Sequence, residues 1–348
     1  MTPSPTPARI RLGLMGFGRI GRNLYRLAAD RPELHITLIS DLGNPDILHY
    51  LLQRDSIHGS FPSGAQLDGD RLILQDGRQA RMVSGVTPAD VNWGRFRVDV
   101  VVDATGKYTS RSAMQGHLES GAPRVIIANL PEDDVDRIVI PGINDQEIQT
   151  SDKLVSAGSS TTNAAALLLD AIGAKFDIER AMMTSVHAYT SDQPLQDTAG
   201  RDYRRSRSAA ENIIPNDSAT PRWLEIILPQ FKGRIEGIAL NVPVADGSYA
   251  DMTMQLASPG VTAEEINAAA VEAADRMPIL FEATADPIVS SDIIGNTHSV
   301  IFDQQATLVT ARGMVKVLGW YDNGWGHAAR ILDIIQAYAA LNGNGSAT

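Results

Sequence analysis

The sequence predicts an α/β chain of two domains, the first built on a doubly wound parallel sheet. Three observations predict it. A strand-like run, Ile10–Met15, leads into Gly16-Phe17-Gly18-Arg19-Ile20-Gly21, a helical pattern over Arg19–Ala29, a second strand-like run over Leu34–Ile39, and Asp41. The β-branched runs Val98–Asp103 and Val125–Ala128 are of the kind buried in parallel sheets. The length of 348 residues exceeds one average domain and suits two.

Each element of the first half has a local cause. In Arg19–Ala29, Ile20, Leu24 and Leu27 fall on one side of a helix. Gly16, Gly18 and Gly21 allow a tight turn and a close backbone approach to a pyrophosphate at the helix N-terminus. Asp41 lies at the distance along the chain where an acid hydrogen-bonds ribose hydroxyls. The dinucleotide reading therefore takes Gly16, Phe17, Gly18, Arg19, Ile20, Gly21 and Asp41 as the cofactor loop. A carboxylate at 41 repels a 2′-phosphate and so favours NAD over NADP. The alternative is a tight βα turn with Asp41 as a solvated loop acid. A further strand is expected at Arg81–Ser84, and Thr105-Gly106 follows the Val98–Asp103 run, at the strand end where ligands dock in open α/β sheets. Thr161–Leu169 reads as a helix, with Ser160 as its N-cap.

Composition narrows the function. Thirty basic against 41 acidic residues give a net charge of −11, which disfavours general attraction to nucleic acid or anionic membrane. With 43% hydrophobic and 20% charged residues the chain can bury a full core. There is no cysteine, hence no disulfide and no thiolate ligand, and the histidines show no metal spacing. No metal site is expected. Residues 1–8 are proline-rich without the apolar core of a signal peptide, no apolar run is long enough to span a bilayer, and a cytoplasmic location is expected. The Gly/Asn/Ser-rich tail, Asn342–Thr348, is expected to fray.

Motifs along nearly the whole chain carry a resemblance. They are Gly16–Arg22 (GFGRIGR), Asp55–Gly59 (DSIHG), Ala104–Thr109 (ATGKYT) and Ser159–Asn163 (SSTTN), then His187–Gln193 (HAYTSDQ), Arg204–Ala210 (RRSRSAA), Ile213–Pro215 (IIP) and Trp320–Gly326 (WYDNGWG). In these the chain resembles the glyceraldehyde-3-phosphate dehydrogenase family, whose erythrose-4-phosphate dehydrogenase branch shares the same scaffold. The resemblance implies an NAD-binding Rossmann domain over 9–157 and a catalytic α+β domain with a mixed, largely antiparallel sheet over 158–326. A C-terminal helix over 327–341 would pack back on the first domain, and a homotetramer is the implied assembly. It also implies roles. His187 matches the catalytic base. Ser159, Thr161, Thr190, Arg207 and Ser218 match substrate or phosphate positions. Thr105, Gly106 and Asn323 match cofactor positions, Asn323 at the nicotinamide carboxamide.

The departures from the family pattern gather around the chemistry. Ser160 stands where the family has its nucleophilic cysteine, and Asn241 where an arginine clamps substrate. Ala219, Gly324 and His327 also depart, as do Val86 and Ala128 on the adenosine side. Thr198 and Ala199 replace a Leu-Pro pair that accompanies NAD specificity in the family. A serine hydroxyl ionises about seven pKa units above a thiol, roughly 10 kcal/mol of extra deprotonation cost. Ser160 thus has two readings, a helix cap or substrate hydrogen bond, or a nucleophile helped by a base. The chain is either a diverged member or a Cys-to-Ser form of the family. Two functions follow: an NAD-dependent oxidoreductase acting on a phosphorylated or anionic aldehyde, or a catalytically impaired, NAD-binding pseudoenzyme with a regulatory or scaffolding role.

Overall fold

A computed structural model describes residues 9–200 and 202–344. The proline-rich start and the last four residues, on which the expected fraying partly falls, lie outside the described residues. The chain divides into two compact units. The first comprises residues 1–139, 147–158 and 328–348, the second 140–146 and 159–327.

The first unit follows the predicted alternation. β1 (Ile10–Met15), α1 (Arg19–Ala29), β2 (Leu34–Ser40) and α2 (Pro45–Gln53) lead to the short pair β3 (Arg54–Asp55) and β4 (Gly59–Ser60). Next come β5 (Ala65–Asp68), β6 (Arg71–Leu74), β7 (Gln79–Val83), β8 (Val100–Asp103), α3 (Arg111–Glu119), β9 (Val125–Ile127), β10 (Arg137–Ile138) and β11 (Leu154–Ser156). The sheet order is β10-β11-β9-β8-β1-β2-β7-β6-β5. From β10 to β7 every pairing is parallel, and β5 and β6 add an antiparallel edge. The strand expected at Arg81–Ser84 begins two residues earlier and stops before Ser84, a typical boundary shift.

Both faces of this sheet are covered, as buried parallel strands require. On one face Leu12, Leu14, Val100 and Val102 pack with Leu24 and Tyr25 of α1 and with Ile331, Ile335 and Tyr338 near the C-terminus. On the other, Val101, Val125 and Ile127 pack with Met114 and Trp93. Gly13 is dictated by that packing, since a Cβ there would lie 2.6 Å from the Trp93 ring. The chain leaves β1 towards β2 on one side, while β8 flanks β1 on the other. That reversal opens a crevice at the carboxyl ends of β1 and β8, the usual docking place for ligands in such sheets.

The second unit contains α4 (Ser160–Gly173), β12 (Ile178–Ala188), β13 (Ile214–Asp217), α5 (Thr220–Ile227), β14 (Ile235–Val242), β15 (Ser248–Leu256) and α6 (Ala263–Arg276). It continues with β16 (Phe281–Thr284), β17 (Val300–Asp303), β18 (Leu308–Val309), β19 (Met314–Tyr321) and the start of α7 (Trp325–Asn344). Its sheet runs β13-β14-β12-β15-β19-β17-β16, with β18 beside β19. Only β12 with β14 and β16 with β17 pair in parallel, so the sheet is mixed and largely antiparallel. Along β15 every second residue, from Ser248 to Leu256, is buried.

Two boundaries differ from expectation. Residues 140–146 group with the second unit because Gly142, at φ +84°, sits where a Cβ would be 2.7 Å from Leu280. The C-terminal helix starts at Trp325, two residues before the expected 327, and runs to Asn344. Among the described residues no helix is long and apolar enough to cross a membrane.

Candidate active site

In the first unit the glycine turn has the geometry a phosphate needs. Gly16 adopts φ +90°, and a Cβ on it would lie 2.9 Å from the Thr105 backbone nitrogen. A Cβ on Gly21 would lie 2.1 Å from the Gly16 carbonyl oxygen, so only glycine lets α1 press onto the turn. Gly18 is the N-cap of α1, and a Cβ there would meet nothing within 4 Å. The space over this helix start is therefore open. The first turn of α1 carries no acidic residue and no side-chain cap, so its N–H groups and dipole are left for an anion.

Asp41 reaches this turn at the end of β2. Its Oδ2 accepts from the Phe17 N–H at 2.6 Å and its Oδ1 from the Gly43 N–H at 2.8 Å. Phe17 itself is fully buried, edge-on to Tyr25, so any ligand role falls to its backbone. Ile20 packs against the core from a half-buried position. Across the crevice, Thr105 donates through Oγ1 to Asp103 at 2.6 Å, and Gly106 adopts φ +67°.

In the second unit, the helix expected over Thr161–Leu169 extends over Ser160–Gly173. The cap is Ser159, not Ser160: the Ser159 Oγ accepts from the Thr162 N–H at 3.1 Å and also bonds the Thr162 hydroxyl at 2.8 Å. Ser160 is the first helical residue and is 9% exposed. Both residues are serines, and only the start of the hydrogen-bond ladder separates their roles.

His187 is brought to this helix by strand alternation. Ala181, Met183 and Ser185 on β12 are buried on one face, and His187 continues it. Tyr321, fully buried at the end of β19, joins the two elements. Its hydroxyl bonds the Thr161 Oγ1 at 2.8 Å and the Ser185 Oγ at 3.1 Å. The His187 ring lies edge-on to Tyr321, centroids 6.2 Å apart. Burial pushes the Tyr321 hydroxyl up to about 12, so it stays protonated as a donor. The His187 Nδ1 lies 2.7 Å from the Ala188 carbonyl oxygen. A carbonyl only accepts, so Nδ1 carries the proton, and in the neutral ring Nε2 is the basic nitrogen. The Ala188 N–H donates to the Ser248 Oγ at 3.0 Å, and that hydroxyl donates to the Asn323 Oδ1 at 2.9 Å.

The remaining sequence candidates fall in two groups. Asn241 is the register partner of His187 across the β12–β14 pair, 8% exposed, and its Oδ1 accepts from the Asn216 amide. Thr190 and Arg207 are held by acidic neighbours, whereas Ser218 adjoins the Ser159 hydroxyls through Thr220, whose Oγ1 lies 3.3 Å from that of Thr162. Thr190 donates to Asp192, which also pairs with Arg205, while the exposed Arg207 bonds Asp197 at 2.8 Å. The Ser218 Oγ accepts from the Thr220 N–H at 3.3 Å, next to the start of α5. The Thr161 and Ser159 hydroxyls, expected to face substrate, are engaged by Tyr321 and by the helix cap. Sequence reasoning missed Tyr321, Ser185 and Ser248; polar residues are frequent along β12 and β15, so nothing local marks the two serines.

Known proteins are similar to this chain along nearly its whole length. Residues 10–111 match the glyceraldehyde 3-phosphate dehydrogenase NAD binding domain, and residues 159–323 match the glyceraldehyde 3-phosphate dehydrogenase C-terminal domain. Glyceraldehyde-3-phosphate dehydrogenase 1 of Bacillus subtilis is 38% identical over 336 residues, 96% of this chain and 99% of the relative. The Mycobacterium bovis glyceraldehyde-3-phosphate dehydrogenase is 40% identical over 334 residues, 94% of this chain and 97% of its own length. The Borreliella burgdorferi enzyme of the same name is 37% identical over 333 residues, 94% and 99% of the two chains.

Proposed function

Since this chain belongs to the glyceraldehyde-3-phosphate dehydrogenase family of NAD-dependent oxidoreductases, we propose that it oxidises a phosphorylated or otherwise anionic aldehyde through its hydrate, or the corresponding alcohol, without a covalent enzyme intermediate. NAD is the cofactor, and the open helix start at Gly18 fits its anionic pyrophosphate. Gly16, Gly18, Gly21, Asp41, Thr105 and Gly106 would hold it, with the backbones of Phe17, Arg19 and Ile20. Bound NAD supplies a hydride acceptor.

His187 carries the reading. Its Nδ1 is committed to the Ala188 carbonyl, which orients Nε2 to take a proton from a substrate hydroxyl. Ser160 would offer that substrate a neutral hydrogen bond, and Arg207 would attract the anion once it parts from Asp197. A soluble homotetramer in the cytoplasm is part of the proposal, with the exposed Met182 and Ile238 as apolar surface for a subunit contact.

Steady-state NADH formation with a panel of phosphorylated aldehydes tests the reading. We expect turnover with at least one member, untouched by iodoacetamide, because the chain has no thiol to alkylate. Turnover with none would leave the second reading, an NAD-binding pseudoenzyme. Asn241 favours that alternative, because it puts a neutral amide, already bonded to Asn216, where a charged clamp is expected.

A further inference from the structure

We propose that Asp103 and His117 are buried positioning residues for the cofactor, which hold the Thr105–Gly106 turn against the glycine turn at Gly16. The proposal rests on NAD binding in the first unit. Asp103 ends β8 at 2% exposure, and His117 lies in α3 at 0%. The Asp103 Oδ1 accepts from the Thr105 N–H at 2.8 Å and from the Thr105 hydroxyl at 2.6 Å. Its Oδ2 lies 3.0 Å from the His117 Nε2. A carboxylate only accepts, so Nε2 carries the proton. The Thr105 Oγ1 in turn accepts from the Lys107 N–H at 3.1 Å. One carboxylate thus fixes the backbone of the whole turn. That turn walls the glycine loop, since a Cβ on Gly16 would lie 2.9 Å from the Thr105 nitrogen and 3.0 Å from its Cγ2.

A purely structural role fits these observations less well. The residues before Asp103 are Val100, Val101 and Val102, all buried, and Trp93 stands beside the His117 ring at 5.6 Å. An apolar pair of similar volume would suit such surroundings without the desolvation cost of a carboxylate. The His117 Nδ1 meets no hydrogen-bonding group among the described residues, so Asp103 is the polar partner that orients the ring. What the pair supplies, and an apolar pair would not, is the geometry of Thr105.

The test uses full-length protein, NAD titration by calorimetry, and amide exchange without cofactor. The double variant Asp103→Val/His117→Leu should melt no lower than wild type, yet bind NAD about tenfold more weakly, the order expected for losing a buried, charge-assisted hydrogen bond. Amide exchange at Thr105 and Lys107 should accelerate while β1 and β2 stay protected. His117→Gln, whose amide reaches as far as Nε2, should bind within about threefold of wild type. Wild-type affinity in the double variant would overturn the proposal, as would its failure to fold or a glutamine variant as weak as the double one. If wild type itself binds no NAD, the cofactor reading fails, and exchange at Thr105 and Lys107 still decides whether the pair holds the turn.

Discussion

Replacing Tyr321 by phenylalanine isolates the hydroxyl that ties the helix carrying Ser160 to the strand carrying His187. The ring keeps its buried packing, so the change removes the hydroxyl's bonds, among them those to Thr161 at 2.8 Å and Ser185 at 3.1 Å, with Ser248 also beside it. Each is worth a net ~0.5–1.5 kcal/mol. The two survivors already lie 3.4 Å apart and can bond each other, which recovers part of the loss. The expected cost is about 1–2 kcal/mol, or roughly 3–6 °C in the melting transition of a unit this size. Because burial pushes Tyr321 up to about 12, the cost should be flat across neutral pH. Differential scanning calorimetry of both proteins measures it, and NADH turnover reports whether His187 stays aligned. A variant as stable as wild type would refute the claim that the hydroxyl joins the two elements. A loss above about 4 kcal/mol would show that the ring itself had moved.

Ser160→Cys alone should recover little glyceraldehyde 3-phosphate oxidation, and Ser160→Cys with Asn241→Arg far more than either change, because a charged clamp is worth ~2–5 kcal/mol in a desolvated site. Family-like rates in the single variant, measured as NADH formation, would make Asn241 incidental. Asp41→Ala should weaken NAD and narrow the gap to NADP in calorimetric titration. An unchanged ratio would remove the carboxylate from cofactor choice, and the loss of its bond to the Phe17 N–H should also loosen the turn. Asp152 adds a pH dependence. Burial acts to raise its pKa, but the Gln149 N–H, the Tyr338 hydroxyl and Arg137 outweigh it and hold the carboxyl below its usual value. A depressed folded-state value contributes stability above the unfolded value of about 3.9 that is lost as pH falls through the folded one. The melting temperature should therefore drop on acidification below that value, and Asp152→Asn should flatten the drop. An identical acid profile in that variant would assign it to other carboxylates.

Much of this protein was legible from local rules. The strand, glycine turn, helix and strand of the first half follow from the periods 2 and 3.6 and from glycines that the turn requires, all read within a few residues. The motifs Gly16–Arg22, Ser159–Asn163 and His187–Gln193 identified the scaffold for the same reason, because each loop's chemistry is contiguous in the chain. The cap was misread by one residue, since serine suits both positions and only the hydrogen-bond ladder decides between them. The rest depended on pairings that no local window contains. Thr161, Ser185 and Tyr321 meet across separations of 24 and 136 residues or more, and Asp103 reaches His117 from strand to helix. Sequence alone determined which segments are strands, helices and glycine turns, because backbone sterics and hydrogen bonding act between near neighbours. The folded structure decided which hydroxyls are bonded inward, and to what, because a buried polar group must find a partner and that partner comes from another element.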